Sequence, residues 1–273
     1  MRRIWLLTVL MMFLHGCVKE TTWTSKGELP VKLVVDAILT DEVKAQAIRL
    51  TFPVPELNQA PEPVAGASVL ISNDDSTWQL TESTVKPGTY NTPPYFYARL
   101  QKTYTLLISL NGRVYSAKAS MVPGTAFGEL QYVKDDGTGL YRVDWVANAF
   151  STEEAAMWEL LVDWSRVPGY AHLDSLETHA RMLFYTLPTL DVSEVFAPMM
   201  QTVLFPAGTS ITERRYSISP EHAEFVREML METNWAGGLF PTAPANVGTN
   251  ISSGAFGFFG VCAVTELAVV ITP

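Results

Sequence analysis

Apolar and polar positions alternate with a period of two over residues 31–121, and this period is typical of β-strands with one buried face. The run VKLVVDAIL places five apolar side chains on one face, at Val31, Leu33, Val35, Ala37 and Leu39. The alternation recurs at residues 48–52, at residues 67–72 and in TYTLLISL at residues 103–110. No helical period of useful length interrupts these runs, so the sequence predicts a series of short strands.

The connection between two of these strands carries the clearest turn signal in the chain. Asn111 and Gly112 separate TYTLLISL from RVYSAKAS. A type I′ turn requires positive φ at both central residues, and Asn followed by Gly accommodates both. The sequence therefore predicts a β-hairpin at this point, and short strands at this spacing predict a β-sandwich.

A second β-rich region begins near residue 127. DDGTG at residues 135–139 predicts a turn, and LYRVDWV at residues 140–146 alternates like a strand. MWELLVDW alternates as well, and it sets Glu159 and Asp163 on the side opposite its apolar residues. Large aromatic side chains usually lie in the core, and we interpret three tryptophans in this way: Trp145, Trp158 and Trp164. The segment that follows, rich in Pro, Thr and Leu, predicts strands with long loops.

One helix is predicted near residues 220–234. Ser219 is a favoured N-cap residue, Pro220 suits the first turn, and Glu221 lies where the helix dipole favours negative charge. The apolar residues that follow form one stripe directed at the core, made of Phe225, Val226, Met229 and Leu230. His222 falls on the first turn between two glutamates, which we interpret as a solvated face rather than a metal site.

The C-terminal run NISSGAFGFFGVCAVTELAVVI is predicted to form two strands. Gly254, Gly257 and Gly260 alternate with phenylalanines, and glycines at such positions indicate that another backbone or ring approaches closely. Thr265 and Glu266 interrupt the apolar run, which excludes a transmembrane helix of about 20 apolar residues.

These patterns together predict a mainly β fold. Residues 30–123 are assigned to an N-terminal immunoglobulin-like or transthyretin-like β-sandwich. Residues 127–273 are assigned to a β-rich C-terminal domain that carries the one α-helix. With 273 residues, the chain is long enough for one large domain or two small ones.

The first residues of the chain form a targeting segment. Arg2 and Arg3 precede an apolar run at residues 4–14, which is too short to span a bilayer. The end of this segment, LHGC, resembles the signal of bacterial lipoproteins. The resemblance implies that residues 1–16 are removed and that Cys17 is lipidated and holds the chain at the outer membrane. An ordinary secretory signal with a chance cysteine is the alternative.

Residues 17–29 are predicted to be a polar tether. Lys19 and Glu20, just after the cysteine, resemble the export signal of surface-exposed lipoproteins in Bacteroidota. The resemblance implies that the chain faces the cell exterior. A plain solvated tether is the alternative, and it leaves the periplasmic face open as the location.

Composition excludes some classes of partner. The formal net charge is −9, and removing Arg2 and Arg3 with the signal would bring it to −11. Binding to nucleic acid depends on Lys and Arg neutralising phosphates, so a nucleic-acid partner is excluded. The same balance argues against electrostatic docking to anionic lipid.

No catalytic, cofactor or metal motif is recognised in the sequence. The histidines and Cys262 show no zinc spacing, and no nucleophile elbow, phosphate loop or dinucleotide fingerprint appears. We interpret Cys262 as a small buried hydrophobe. No catalytic residue, cofactor or metal ligand is therefore predicted, although unrecognised carboxylates could pair in space, as in glycosidases.

One aromatic cluster is a candidate site for a ligand or a protein partner. YNTPPYFYARL contains Tyr95, Phe96 and Tyr97, and three adjacent rings of a strand cannot all face one core. We take these residues as the candidate binding residues. The alternative is a loop that folds its rings over the edge of the sandwich.

The order of motifs along the chain resembles a Bacteroidota outer-membrane lipoprotein family known as domain of unknown function 4249 (DUF4249). The motifs are the lipoprotein cysteine, LVVDAILTDE, PVAGASVLISND, PGTY, YTLLISLNGRVYSAKASM, YSISPEHAEFVREML and PANVGTNISSGAFGFFGV. Members are often encoded beside TonB-dependent outer-membrane receptors, which implies an accessory role to such a transporter. The family has no accepted catalytic residues.

The sequence therefore favours a lipid-anchored binding protein that is not an enzyme. Its expected partners are the outer membrane, through Cys17, and a TonB-dependent β-barrel receptor. A structural or assembly component of the envelope without a small ligand is one alternative. A surface hydrolase with unrecognised carboxylates is the other.

Overall fold

The fold is mainly β, as the sequence predicts. The computed structural model describes residues 32–54, 59–189, 202–234, 247–252 and 254–273. The strands in these ranges are β1 (Val34–Thr40), β2 (Ala47–Thr51), β3 (Ser68–Ser72), β4 (Thr77–Gln79), β5 (Thr81–Glu82), β6 (Thr89–Asn91), β7 (Thr103–Leu110), β8 (Arg113–Ser120), β9 (Gln131–Lys134), β10 (Tyr141–Trp145), β11 (Ala156–Asp163), β12 (His179–Thr186), β13 (Ser210–Ser217) and β14 (Phe256–Val270). The helices in the same ranges are α1 (Ser175–Thr178) and α2 (Pro220–Asn234).

Three sheets organise these strands. The largest has eight strands in the order β12-β11-β13-β14-β1-β2-β6-β5. The others are the four-stranded sheet β4-β3-β7-β8 and the hairpin β9-β10. Both smaller sheets pack on one face of the large sheet, and α2 packs on the other. None of the helices in the described residues is long and apolar enough to span a membrane.

Strand β1 shows how the alternating pattern becomes a sandwich. Val35, Ala37 and Leu39 are buried, whereas Asp36 between them is exposed. The buried residues share one hydrophobic cluster with β3 and β7 of the four-stranded sheet, including the fully buried Ile108. Burying each such aliphatic side chain contributes roughly 1.5 to 3 kcal/mol. The predicted N-terminal sandwich is confirmed.

The predicted hairpin joins β7 to β8. Asn111 has φ of 48° and Gly112 has φ of 76°, so both central residues adopt the positive φ of a type I′ turn. The two strands pair without a shift over eight residue pairs, from Leu110 opposite Arg113 to Thr103 opposite Ser120.

The C-terminal run forms one 15-residue strand, β14, so the prediction of two strands is wrong. β14 lies at the centre of the large sheet, parallel to β1 and antiparallel to β13. The expected close approaches occur at Gly257, whose missing Cβ would lie 1.9 Å from the Val35 carbonyl oxygen, and at Gly260, which faces the His222 ring. The glycines therefore permit continuous pairing instead of ending a strand.

The tryptophans of the second region divide between core and surface. Trp158 is buried in the hydrophobic cluster beneath the β9-β10 hairpin, and the partly buried Trp164 packs against the same cluster. Trp145 is exposed, because the pairing of β10 with β9 shifts between Val143 and Trp145. The core interpretation is thus wrong for Trp145.

Helix α2 forms where the sequence predicts it. Ser219 caps it, since its Oγ accepts the backbone N–H of His222 at 3.3 Å, and Val226 lies in the same hydrophobic cluster as Cys262 of β14. The cysteine is fully buried, as expected. His222 is buried as well, so the expectation of a solvated face is wrong for it. The short helix α1 was not predicted; Asp174 caps it through two backbone N–H groups.

The large sheet runs through both predicted regions. β14, from the second region, supplies Phe259 and Val261 to the core of the N-terminal sandwich. Lys32–Pro273 accordingly forms one compact unit. The predicted domain boundary, between residues 123 and 127, therefore separates two regions that both depend on the central strand β14.

Candidate binding surface

The loop between β6 and β7 carries the predicted aromatic residues. Tyr95 is 67% exposed and Tyr97 is 38% exposed, whereas Phe96 is 2% exposed. Phe96 cannot be a surface contact, and its inclusion in the predicted site is wrong. Pro94 and Tyr95 lie in a turn that the Phe96 N–H closes by donating to the Pro93 carbonyl at 3.0 Å. After this turn the side chains alternate, with Phe96 and Ala98 buried and Tyr97 exposed.

Phe96 anchors the loop from below. Its ring packs edge-on to Trp78 at a centroid distance of 5.0 Å and to Tyr104 at 6.2 Å. Aromatic pairs in this geometry contribute roughly 0.5 to 1.5 kcal/mol beyond burial of their area. The middle ring thus folds into the sandwich, while its two neighbours point outward.

Backbone hydrogen bonds fix this loop to the loop between β1 and β2. Lys44 donates its backbone N–H to the Phe96 carbonyl at 3.1 Å, and Ala98 donates to Thr40 at 2.9 Å. The N–H of Gln46 donates to the Thr92 hydroxyl at 2.8 Å. Five of these six residues are buried, all except Lys44, so the exposed rings stand on a fixed backbone.

Arg99 extends the exposed rings into a mixed aromatic and cationic surface. Its guanidinium lies 5.1 Å from the Tyr97 ring centroid and donates to the Tyr97 hydroxyl at 2.9 Å. Its backbone N–H donates to the Tyr104 hydroxyl at 2.8 Å, which holds the loop at that point. We call Tyr95, Tyr97 and Arg99 the tyrosine surface. The sequence analysis missed Arg99, although it continues the outward alternation of Tyr95 and Tyr97.

A charged cluster lies beside the β1–β2 loop, on the face of the large sheet that carries α2. Its members are Glu42, Glu159, Arg181, Arg214, Tyr216 and Glu266. Arg214 pairs with Glu42, approaches a Glu159 oxygen at 3.4 Å and lies 3.3 Å from Glu266. The cluster therefore joins the β1–β2 loop to β11, β13 and β14.

Glu159 is the buried centre of this cluster. Arg181 donates to one of its oxygens at 2.6 Å and the Tyr216 hydroxyl donates to the other at 2.8 Å. Burial alone would raise the pKa of Glu159, but these two donors hold the pKa below its usual value. Lys44 and Arg214 likewise outweigh burial and lower the pKa of Glu42. Both carboxylates are ionised and paired at neutral pH, an arrangement that suits a structural clasp.

Two further buried polar groups lie on the opposite face of β13. Glu213 is buried among apolar residues, its Oε1 has no hydrogen-bond partner in the described residues, and burial raises its pKa to about 7. Arg215 is buried too, where it donates to the Ser217 hydroxyl at 2.6 Å and lies over the Trp158 ring.

The pair formed by His222 and Cys262 is a second buried site with reactive residue types. The His222 Nδ1 lies 4.0 Å from the Cys262 sulfur, and the ring stacks on Phe258 at 4.7 Å. Burial lowers the pKa of His222 to about 4 and raises the pKa of Cys262 to about 12. Both groups are neutral at physiological pH, so the thiol lacks the thiolate character of a nucleophile.

Other predicted site residues are not placed. Cys17, Lys19 and Glu20 lie outside the described residues. Within the described part of the chain, no group of three or more His, Cys, Asp and Glu side chains is arranged to hold a metal ion. Of the predicted binding residues Tyr95, Phe96 and Tyr97, the two tyrosines are exposed and lie in the tyrosine surface.

Comparison with known proteins assigns a family but no activity. A family model described as domain of unknown function (DUF4249) matches residues 24–268. The match covers most of the chain, including every element through most of β14. No curated protein matches the chain. The DUF4249 membership inferred from the order of motifs is confirmed, whereas the lipoprotein anchor stays a prediction.

Proposed function

The chain belongs to the DUF4249 family, and from this premise we propose that it is an outer-membrane lipoprotein that binds a TonB-dependent transporter as an accessory. In this proposal, lipid on Cys17 holds the body at the membrane. The tyrosine surface contacts the transporter. Lys19 and Glu20 direct the protein to the cell surface.

The exposed tyrosines are the single observation that carries the binding role. Tyr and Arg are enriched at the centres of protein interfaces, because they combine a large apolar area with a polar group. Tyr95 and Tyr97 expose such rings on a backbone that Phe96 and the β1–β2 loop hold in place. A fixed loop loses little conformational entropy when a partner binds, which favours affinity.

Membrane anchoring supports the same role. A protein confined to a membrane meets a membrane partner at a higher effective concentration than a free one. The tether at residues 17–29 contains no strong structural pattern, and a flexible chain of that length reaches roughly 20 Å. That reach allows contact with the exposed part of a neighbouring barrel.

Co-purification tests the binding role. The tagged full chain is isolated from detergent-solubilised membranes of a Bacteroidota host, and a large barrel protein is expected to co-purify. The double variant Tyr95→Ser/Tyr97→Ser is expected to lose most of it. Val85→Ser/Leu176→Ser is the matched control, because both residues are highly exposed apolar side chains outside the tyrosine surface. Equal recovery with both double variants contradicts the proposed contact, and no barrel in any sample favours an envelope component instead.

Metabolic labelling tests the anchor separately. Cells supplied with labelled palmitate are expected to label the wild-type protein and not Cys17→Ser. Protease added to intact cells is expected to degrade the wild-type protein. The double variant Lys19→Ala/Glu20→Ala is expected to be protected from it. A wild-type product that stays unlabelled rules out the lipoprotein assignment, whereas a labelled but protected wild type places the body on the periplasmic face.

A further inference from the structure

Strand β12 forms one edge of the eight-stranded sheet, with β11 on its inner side. An edge strand presents unpaired backbone N–H and C=O groups, and proteins usually shorten or cover such edges. β12 has eight residues, contains no proline and pairs with β11 without a register shift. By contrast, the edge strands β4 and β5 have three and two residues.

The hydrogen-bond register shows which residues of β12 face outward. Trp164 donates its N–H to the Thr178 carbonyl at 3.0 Å, so these two residues form a hydrogen-bonded pair of the antiparallel ladder. Bonded and non-bonded pairs alternate from there, so the even-numbered residues of β12 bond to β11. The odd-numbered residues Arg181, Leu183 and Tyr185 direct their N–H and C=O groups away from β11.

His179 and Leu187, the outward-facing residues on either side of residues 181–185, confirm the register. Leu187 donates to the Ala149 carbonyl at 2.9 Å and accepts from Ser151 at 3.1 Å. His179 donates its N–H to the Ser175 carbonyl of α1. Within the described residues, the outward backbone groups between these two points have no backbone partner. Among the described residues, the edge is therefore open over residues 181–185.

The side chains of this open edge define the chemistry of an occupant. Arg181 is 61% exposed, and its Nε bonds to Glu159, which leaves its terminal nitrogens directed to solvent. Leu183 is 41% exposed, and the exposed Leu161 lies on the same face, opposite Arg181. A strand added here would place one side chain beside the Arg181 cation and one beside Leu183.

We propose that residues 181–185 bind an extended segment of a partner protein as an added β-strand, with an acidic side chain beside Arg181 and an apolar one beside Leu183. Recognition by strand addition takes affinity from backbone hydrogen bonds and specificity from alternate side chains. The occupant is short, because α1 and the Ala149–Ser151 bridge close the edge at both ends. A second copy of β12 is excluded as occupant, since it brings its own α1 and its own bridge into the same space. This inference is independent of the proposed transporter contact.

Hydrogen exchange of the full chain in detergent tests whether the edge is open. The amides of Arg181, Leu183 and Tyr185 are expected to exchange much faster than those of Met182 and Phe184, which bond to β11. Protection of all five amides to the same degree overturns the proposal, because the edge would then be covered in the protein alone.

Peptide binding tests the occupant. The probes are the capped peptide Ser-Ser-Thr-Thr-Val-Thr-Glu-Ser-Ser and its reversed sequence, since the strand direction is open. At least one is expected to bind and to protect the outward amides. N-methylation of a nitrogen that donates to β12 removes one bond, and this nitrogen belongs to the valine in an antiparallel probe and to the threonine after the valine in a parallel probe. The methylated probe is expected to bind about tenfold or more weakly. Absence of binding by both probes, or equal binding after N-methylation, overturns the proposal.

Two variants of the protein make the test specific. Leu183→Pro removes an outward N–H without removing a bond to β11, so it is expected to fold and to lose peptide binding. Leu183→Ile keeps the N–H, the strand propensity and the apolar side chain, and is expected to retain binding. Arg181→Gln is expected to bind the Glu probe and a Lys counterpart equally. Continued preference for Glu in that variant contradicts the role of Arg181.

Discussion

At Gly257 the backbone of β14 passes so close to β1 that a Cβ atom would lie 1.9 Å from the Val35 carbonyl oxygen. The obstacle is backbone, so no side-chain rotation can relieve it. The residue also has φ of 90°, which L side chains rarely adopt. One absent side chain therefore permits the pairing of two central strands.

Gly257→Ala is expected to lower the free energy of unfolding by more than about 3 kcal/mol, because the two strands must separate. Gly254→Ala is the control. Gly254 also has positive φ, but a Cβ there meets nothing within 4 Å. Its substitution is expected to lower the free energy by only about 1 to 2 kcal/mol. Urea unfolding measures both, and equal losses would show that the contact with Val35 is irrelevant.

Two buried titratable groups give the stability opposite dependences on pH. Burial raises the pKa of Glu213 from 4.5 to about 7 and lowers that of His222 from 6.5 to about 4. Folded Glu213 retains a proton that the unfolded chain releases, so its contribution is lost as pH rises from 4.5 to 7. Unfolded His222 binds a proton that the folded chain excludes, so its contribution is lost as pH falls from 6.5 to 4.

These opposed trends predict a nearly flat stability profile in the wild type where the two ranges overlap. Glu213→Gln removes the trend due to Glu213. The free energy of unfolding of this variant is therefore expected to rise by about 2 to 3 kcal/mol as the pH increases from 4 to 6.5, the range over which His222 acts. His222→Asn is expected to show the reverse slope. Urea unfolding at a series of pH values measures each slope. A Glu213→Gln profile that matches the wild type would contradict the raised pKa.

Burial of charged residues marks the limit of prediction at this scale. Alternation correctly placed Glu159 on the side opposite Trp158, but it could not show that Arg181, Arg214 and Tyr216 cover that side. Three adjacent rings indicated that at least one would be exposed, but not that Phe96 would turn inward. A period of two gives the face of a side chain, and only tertiary contacts decide what lies over that face.

Among the elements, α2 is the one whose start the sequence defines best. Its N-cap accepts a backbone N–H, so Ser219→Ala is expected to lower the free energy of unfolding by about 1 kcal/mol. Ser219→Asp retains an acceptor and adds a favourable charge at the helix N-terminus, so it is expected to keep wild-type stability. Thermal or urea unfolding distinguishes them. Equal destabilisation by Ala and Asp would show that the cap is not needed.

Strand β14 is the element that the sequence described least well. Phe258–Ala263 are buried on both faces, between the sandwich core and α2, and the strand then reverts to alternation. The change of environment along one strand resembles two strands in sequence, particularly with glycines at its start. Pairing with β1, more than two hundred residues away, leaves no local pattern to detect. By contrast, the β7–β8 turn is local, and Asn111 and Gly112 predicted it fully.

In the whole molecule, β14 makes the two halves of the fold depend on each other. The fragment of residues 30–123 lacks this strand, so β1 loses its parallel partner and the core loses Phe259 and Val261. The fragment is therefore expected to remain largely unfolded by circular dichroism and amide NMR dispersion. Adding a peptide of residues 247–273 is expected to restore part of the structure. A cooperatively folded fragment without the peptide would show that the sandwich is an independent domain.

The central position of β14 also sets the order of events in the cell. β14 follows both β1 and β13 in the chain, so a growing chain has a vacant place between those two strands until the ribosome has made residues 256–270. Long-range strand pairing of this kind forms slowly. Export through a translocase, which the N-terminal signal predicts, requires an unfolded polypeptide, and we expect a chain that still lacks β14 to remain in that state.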